Sequence, residues 1–427
     1  ISRFLSPWMT GWESPPNFSF APDLWGFSLI IGLVVKELPF LLLVGFAIIK
    51  QTDITDYKKQ ILTLGYGPIS GWFHVIHPLI ARRMKLSVLI VLCFTISVVD
   101  MALILAPSIP APLAIKIFNL YQSPDITSKL FAASGALYLL IISILCCLIW
   151  ISFGKGFEIS FRILSYQGRR LSGNKLLRKL IFFIFLSFLA LFLIIGILSL
   201  VSAGIWAFVS VWQYPNFLPQ KFSFFGWKVG FSAYVEPLIN TLIIGIMSST
   251  LAIVSVIIWL EYSAKLTSRI LEIFIYLPIL LPQMGFLFGM QVLLIWLNLD
   301  GLYVTMIWVH YLFVFPYIIL TLGPMWKRSD IRYEILGASF GFSKIKRLLR
   351  IKIPLMALPI LTSFAIGFSV SSALYLPTIL VGNGNFLTLT TEAVVLAANS
   401  SRQAAGIAAI LQMMLPLAIF ILAGTYI

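Results

Sequence analysis

Two sets of residues in this chain have the types and spacing to do chemistry. One set is ionic and lies inside apolar runs: Lys36 and Glu37 beside Pro39, and Asp100 late in a later run. A charge inside a bilayer is costly to keep, so these are candidates for an ion or proton relay or for a gate. Lys36 and Glu37 are adjacent and do not share a helix face, so a mutual salt bridge is not expected. For Asp100 two readings stand: a pathway or gate group, and an interfacial carboxylate in contact with water. His310, Asn240, Gln283 and Gln291 are weaker members of this set, with helix–helix hydrogen bonding as the competing role. The other set is basic and compact. The stretch "EILGASFGFSKIKRLLRIKIPLM", from Glu334 to Met356, places Lys344, Lys346, Arg347, Arg350 and Lys352 between two oily runs. His74 and His77 are spaced like two ligands of one metal. With no carboxylate or thiolate between or beside them, a structural role is preferred there.

The elements that must position these residues are membrane helices. A mean hydropathy of +1.01 with 11% charged residues is too apolar for a soluble globular chain. Nine apolar runs are long enough to cross a bilayer core: 28–49, 84–106, 130–153, 180–209, 236–260, 270–297, 304–324, 357–381 and 404–427. Alternating barrel strands are not seen, so the predicted fold is an all-α polytopic membrane protein. The net charge of +15 would suit nucleic acid, but its placement argues against that. If segments 50–59, 82–85, 154–179, 261–269 and 327–356 share one side, that side carries 23 of the 30 Lys and Arg. This asymmetry places those segments in the cytoplasm, with anionic lipid as their nearby partner. There is no soluble basic domain to bind nucleic acid. Cys93, Cys146 and Cys147 all fall in apolar runs, so no disulfide framework follows.

The sequence also repeats itself. A shift of 276 residues lays "YKKQILTLGYGPISGWFHVIHPL" (57–79) on "YEILGASFGFSKIKRLLRIKIPL" (333–355). Tyr57 meets Tyr333, Gly65 meets Gly341, Pro78 meets Pro354, and Ser87 meets Ser363, with no gap. The nine runs put six crossings between Gly65 and Gly341. An even number returns the chain to the same side, so the expected halves are parallel rather than inverted. The expected organisation is a first transmembrane half over 1–153, a cytoplasmic linker over 154–179 and a second half over 180–427. The first half is then short by about 95 residues and three spans. The chain starts at Ile1 rather than Met, which suggests a longer protein or a processed terminus.

Within the quoted stretch, Arg332 to Phe340 is predicted as a short helix, ended by Gly341, which tolerates a sharp turn. A second helix is expected from Ser343 as N-cap. On it Ile345, Leu348, Leu349 and Lys352 form one stripe, and Lys344 and Arg347 part of a basic flank. Pro354 suits the first turn of the next span. A membrane-surface helix is the plain alternative. The glycine-to-proline spacing, shared by both copies, favours a rigid docking element instead.

This segment resembles the "EAA" loop of the permeases of binding-protein-dependent ABC importers. The resemblance rests on Glu334 seven residues before Gly341, nine residues after it, and then Ile351-Lys352-Ile353-Pro354. Leu336 and Gly337 stand where that family has alanines. The copy around Gly65 and Pro78 departs further, with Lys58 in place of the Glu and Val75-Ile76-His77-Pro78 at its end. The resemblance covers nearly the whole chain and is closest to fused permeases, as in thiamine and ferric-iron importers. The stretch "LYLPTILVGNGNFLTLTTEAVVLAANSSRQAAGIAAILQMMLP" is similar to the YnjC-type members of that group. It implies the type I ABC importer transmembrane fold in a bacterial inner membrane. It also implies a cytoplasmic ABC ATPase dimer docked on the two loops, a periplasmic substrate-binding protein, and a small-molecule or ion substrate. The coupling residues would be Glu334, Gly341, Lys344, Arg347, Ile351 and Pro354, with Gly65 and Pro78 in the first copy. The turn "GNGN" (382–385) is a candidate for the outer docking surface. No G-x-x-x-x-G-K-[ST] phosphate loop occurs, and "LSGNK" (171–175) reads as linker. ATP is therefore expected to be used by partner subunits, with no catalytic residue, metal or bound cofactor assigned to this chain. Two further classes stay open: a secondary carrier driven by an ion gradient through Lys36, Glu37 and Asp100, and a membrane scaffold.

Overall fold

A computed structural model describes residues 22–425, apart from 53, 167–174, 215, 263–268 and 399–401. The Pro- and Trp-rich start of the chain and most of "LSGNK" lie outside the described residues. Among the described residues the regular structure is helical, apart from a short antiparallel pair, Val209–Val211 with Lys221–Phe222. It is an all-α polytopic membrane protein. Among the described residues, six helices are long and apolar enough to span a bilayer, or eight if two sharply bent pairs are each one span.

Nine uninterrupted spans were expected, and three of them are broken. The run 270–297 bends by 113° between Phe274–Leu280 and Gln283–Trp296. Pro282 lies at that break; it lacks an N–H and pushes the residue before it out of the helical region. The run 357–381 ends its first helix at Ala373 and restarts at Leu376, with Pro377 in the first turn. The run 84–106 belongs to His77–Ser97, which stops at an extended Val98 before Asp100–Leu105 begins. Hydropathy counts apolar side chains and is blind to such backbone interruptions.

The described chain forms two compact units. One comprises 22–202 with 280–285, the other 203–279 with 286–425. In the second unit the core lies among Phe225–Tyr262, Tyr303–Lys327 and Ala357–Ala373. Ala252, Val256, Val314, Ile318 and Leu322 are fully buried there. In the first unit, one cluster joins Val98, Ala102, Ala106 and Ile115, and a smaller one joins Ile61, Ile76 and Ile80.

The 276-residue shift holds for the elements as well as the letters. Phe27–Gln51 matches Tyr303–Lys327, and Leu113–Gln122 matches Leu389–Ala398, at both ends. His77–Ser97 matches the pair Ile353–Leu355 and Ala357–Ala373, and the breaks at Val98 and Leu374 coincide. The match is one of order and length, and burial differs. Met306, Val309, Phe313 and Val314 are buried, whereas their counterparts Ile30, Leu33, Glu37 and Leu38 are exposed or half-buried.

Candidate functional site

Each repeat carries one elbow, over 54–79 and 331–355. In the second, Asp330 caps helix Ile331–Ser339 by accepting from the Arg332 amide. The helix ends at Gly341, whose φ of 73° places it in the left-handed region that suits glycine. The Gly341 amide donates to the Ala338 carbonyl at 2.9 Å, and the Phe342 amide to the Gly337 carbonyl at 3.1 Å. These two bonds satisfy carbonyls that a helix end leaves open. Ser343 then caps the next helix, accepting from the Lys346 amide.

The first elbow has the same backbone. Gly65 has a φ of 75°, its amide donates to Leu62 at 3.0 Å, and the Tyr66 amide donates to Ile61 at 3.1 Å. A single helical turn follows in each, Pro68–Gly71 and Lys344–Arg347. Both then widen into a π-helical turn, Trp72–Ile76 and Leu348–Lys352. Pro78 and Pro354 each occupy the first turn of the helix after it.

The π turn corrects the expected amphipathic stripe. A wider turn moves residues off the 3.6 period. Leu348 packs on the core cluster and the Lys352 side chain is only 12% exposed, while Ile345 and Leu349 are exposed. The outer surface of the second elbow thus presents Phe340, Ile345 and Leu349 with Lys344, Lys346 and Arg350. On the first elbow Leu62 and Leu64 are exposed, and Leu64 stands at the Phe340 position.

Inside the second elbow, Lys352 Nζ donates to Glu334 Oε1 at 2.6 Å and to Glu261 Oε2 at 2.8 Å. It also lies 4.9 Å from the Trp326 ring centre. Burial works against its charge, but the hydrogen bonds and charges of the two glutamates outweigh that, and the ammonium is held above its ordinary pKa. Glu261, Tyr262, Glu334, Lys344, Arg347, Leu348 and Lys352 line a cleft of about 210 Å³. Lys344 and Arg347 are at its wall, whereas the Ile351 side chain turns to the Gly337 backbone.

The first elbow has different contents. Ile76 stands at the Lys352 position and Lys58 at the Glu334 position. Ile76 is buried with Ile61 and Ile80. His74 and His77 do not converge. His74 Nδ1 lies 2.6 Å from the Ser70 carbonyl oxygen, and the His77 ring packs edge-on against Phe157. Among the described residues, no group of three metal-ligating side chains forms.

Of the intramembrane candidates, the structure joins two. Lys36 Nζ lies 3.6 Å from Asp100 Oδ2 and 4.4 Å from the Phe94 ring centre. Glu37 is half-buried on a neighbouring face, at the position Phe313 fills in the second repeat. His310 is buried, with Nδ1 2.8 Å from Ser371 Oγ and Nε2 3.2 Å from Thr378 Oγ1. Asn240 bonds the Leu387 carbonyl and Tyr303. "GNGN" is a turn, with Asn383 and Gly384 both left-handed. Sequence reasoning missed Glu261, Arg82 and Glu158 as partners of the elbows. The available signal was an acidic residue standing in an otherwise basic segment next to a span.

No family model matches the chain. The inner membrane ABC transporter permease protein YnjC of Escherichia coli strain K12 is 30% identical to it over 412 residues. That alignment covers 95% of this chain and 73% of the relative.

Proposed function

The chain belongs to the inner-membrane permeases of ABC transporters, and from that premise we propose that it forms a substrate path driven by separate ATPase subunits gripping its two elbows. It is a transport protein, and catalysis of ATP hydrolysis falls to those partners. Both membrane halves would be held in this single fused chain. A periplasmic binding protein would deliver a small-molecule or ionic substrate.

The observation that carries this reading is the recurrence of one elbow backbone with different side chains. Left-handed glycine, paired end-capping bonds, single turn, π turn and proline return at a constant spacing. Each elbow also holds an exposed apolar side chain, Leu64 or Phe340, directly before its glycine. A helix resting on lipid needs an apolar face but no fixed backbone trace. A lever that fits a socket needs the trace. Gly341, Lys344 and Pro354, all exposed, would make the stronger socket contact, with Glu334, Arg347 and Ile351 holding its shape from within, and Gly65 and Pro78 would belong to the weaker one.

The test is co-purification and reconstitution. The chain should retain an ABC ATPase through detergent extraction, and Gly341→Val should release it without unfolding the spans. Uptake in vesicles powered by an ion gradient, with no ATP, would sink the proposal and turn attention to Lys36, Glu37 and Asp100.

A further inference from the structure

Building on that reading, we infer that the two elbows are latched to different helices by different chemistry: the first to Ile126–Tyr166 through Phe157, the second to Phe225–Tyr262 through Glu261. These are positioning residues; the elbows themselves meet the partner.

The first latch is mainly aromatic. Ile126–Tyr166 runs for 41 residues, roughly 60 Å at the helical rise, about twice the hydrocarbon thickness. Its C-terminal part carries Lys155, Glu158 and Arg162 and is the end expected to project beyond the bilayer, and there Phe157 meets the first elbow. The Phe157 ring lies 5.4 Å from His77 and 6.3 Å from Phe73, both edge-on. The next residue, Glu158, pairs with Arg82. The Arg82 side chain is 71% exposed, so that ion pair adds little by itself.

The second latch is ionic and shielded. Glu261 sits in the last turn of Phe225–Tyr262 and shares Lys352 with Glu334 of the elbow. Neither elbow holds the residues of the other's latch. Leu349, Ile353 and Leu358 occupy the positions of Phe73, His77 and Arg82, and Lys58 and Ile76 occupy those of Glu334 and Lys352. A shared backbone thus feeds two unrelated contacts. Motion imposed on the first elbow passes to Ile126–Tyr166, and motion imposed on the second passes to Phe225–Tyr262.

The experiment uses the complex with its ATPase subunits in lipid nanodiscs, trapped with ADP-vanadate. Amide hydrogen exchange is read along 155–166 and 252–262. In the unmodified protein, trapping should change exchange in both segments by about fivefold or more. Phe157→Ala should cancel the response of 155–166 alone, and Phe157→Tyr should restore it. Glu261→Gln should cancel the response of 252–262 alone. ATPase subunits should remain bound to each variant. Both responses surviving both variants would overturn the latches, as would either variant silencing both segments at once. Failure of the unmodified chain to retain any ATPase would overturn the parent reading as well, and it would be seen before any variant is made.

Discussion

The two elbows have nearly the same backbone and almost opposite interiors. Their close-packed points show it best. A Cβ on Gly71 would fall 2.1 Å from Ile61 Cγ2, and a Cβ on Gly337 would fall 3.1 Å from Arg347 Cγ. Positions 61 and 337 are equivalent, and so are 71 and 347. The first elbow pairs a large residue with a glycine, and the second pairs a glycine with a large residue. The volume between the two helical turns is filled from opposite sides. Close packing constrains the sum of the volumes and leaves open which helix supplies the bulk. The same holds for charge: the second elbow centres on Lys352 between two carboxylates, and the first on a dry isoleucine cluster. What the repeats share is the trace of the chain, the property that the proposed common socket would read.

The comparison can be broken or sharpened by substitution, with the largest effect expected first. Lys352→Met removes the cation between Glu261 and Glu334 and should cost about 3 kcal/mol. Its equivalent, Ile76→Met, conserves volume and should cost less than about 1.5 kcal/mol. Thermal midpoints of the detergent-solubilised protein read the difference, and equal shifts would show that the ionic centre adds nothing. Gly71→Ala should cost about 2 kcal/mol by overpacking, because the β-branched Ile61 cannot swing away. Ile61→Ala in the same chain should recover most of that loss. Gly337→Ala should cost about 1 kcal/mol, since it meets Ile351 Cδ1 and the stem of Arg347, both able to move. If Gly337→Ala proved the worse of the two, the exchanged-volume account would fail.

Gly341→Ala isolates the backbone. Nothing lies within 4 Å of the added Cβ, so its cost of about 1 kcal/mol should come from the left-handed conformation alone. Gly341→Asn, which tolerates that conformation, should recover part of it. The smallest effect belongs to Lys58→Glu, which recreates the acidic residue of the second elbow in the first. With Ile76 at the Lys352 position it gains no partner, and stability should stay within about 0.5 kcal/mol. A stabilisation beyond that would reveal a cation that the described contacts do not include.

The sequence by itself determined the class of protein, the repeat with its spacing, and the landmarks Gly341, Ser343 and Pro354. These are local or periodic signals: apolar runs long enough for a bilayer, a glycine where φ turns positive, a capping hydroxyl, a ring without an N–H. Tertiary structure decided the rest. It turned three expected spans into broken ones. It wound 348–352 as a π turn, so that Leu348 and Lys352 face in while Ile345 and Leu349 face out. It also chose the partners: Glu261 lies 91 residues from Lys352, Glu158 lies 76 from Arg82, and Asp100 meets Lys36 from another helix. Hydropathy carries no information about helix rotation, and helix rotation decides which distant charges meet.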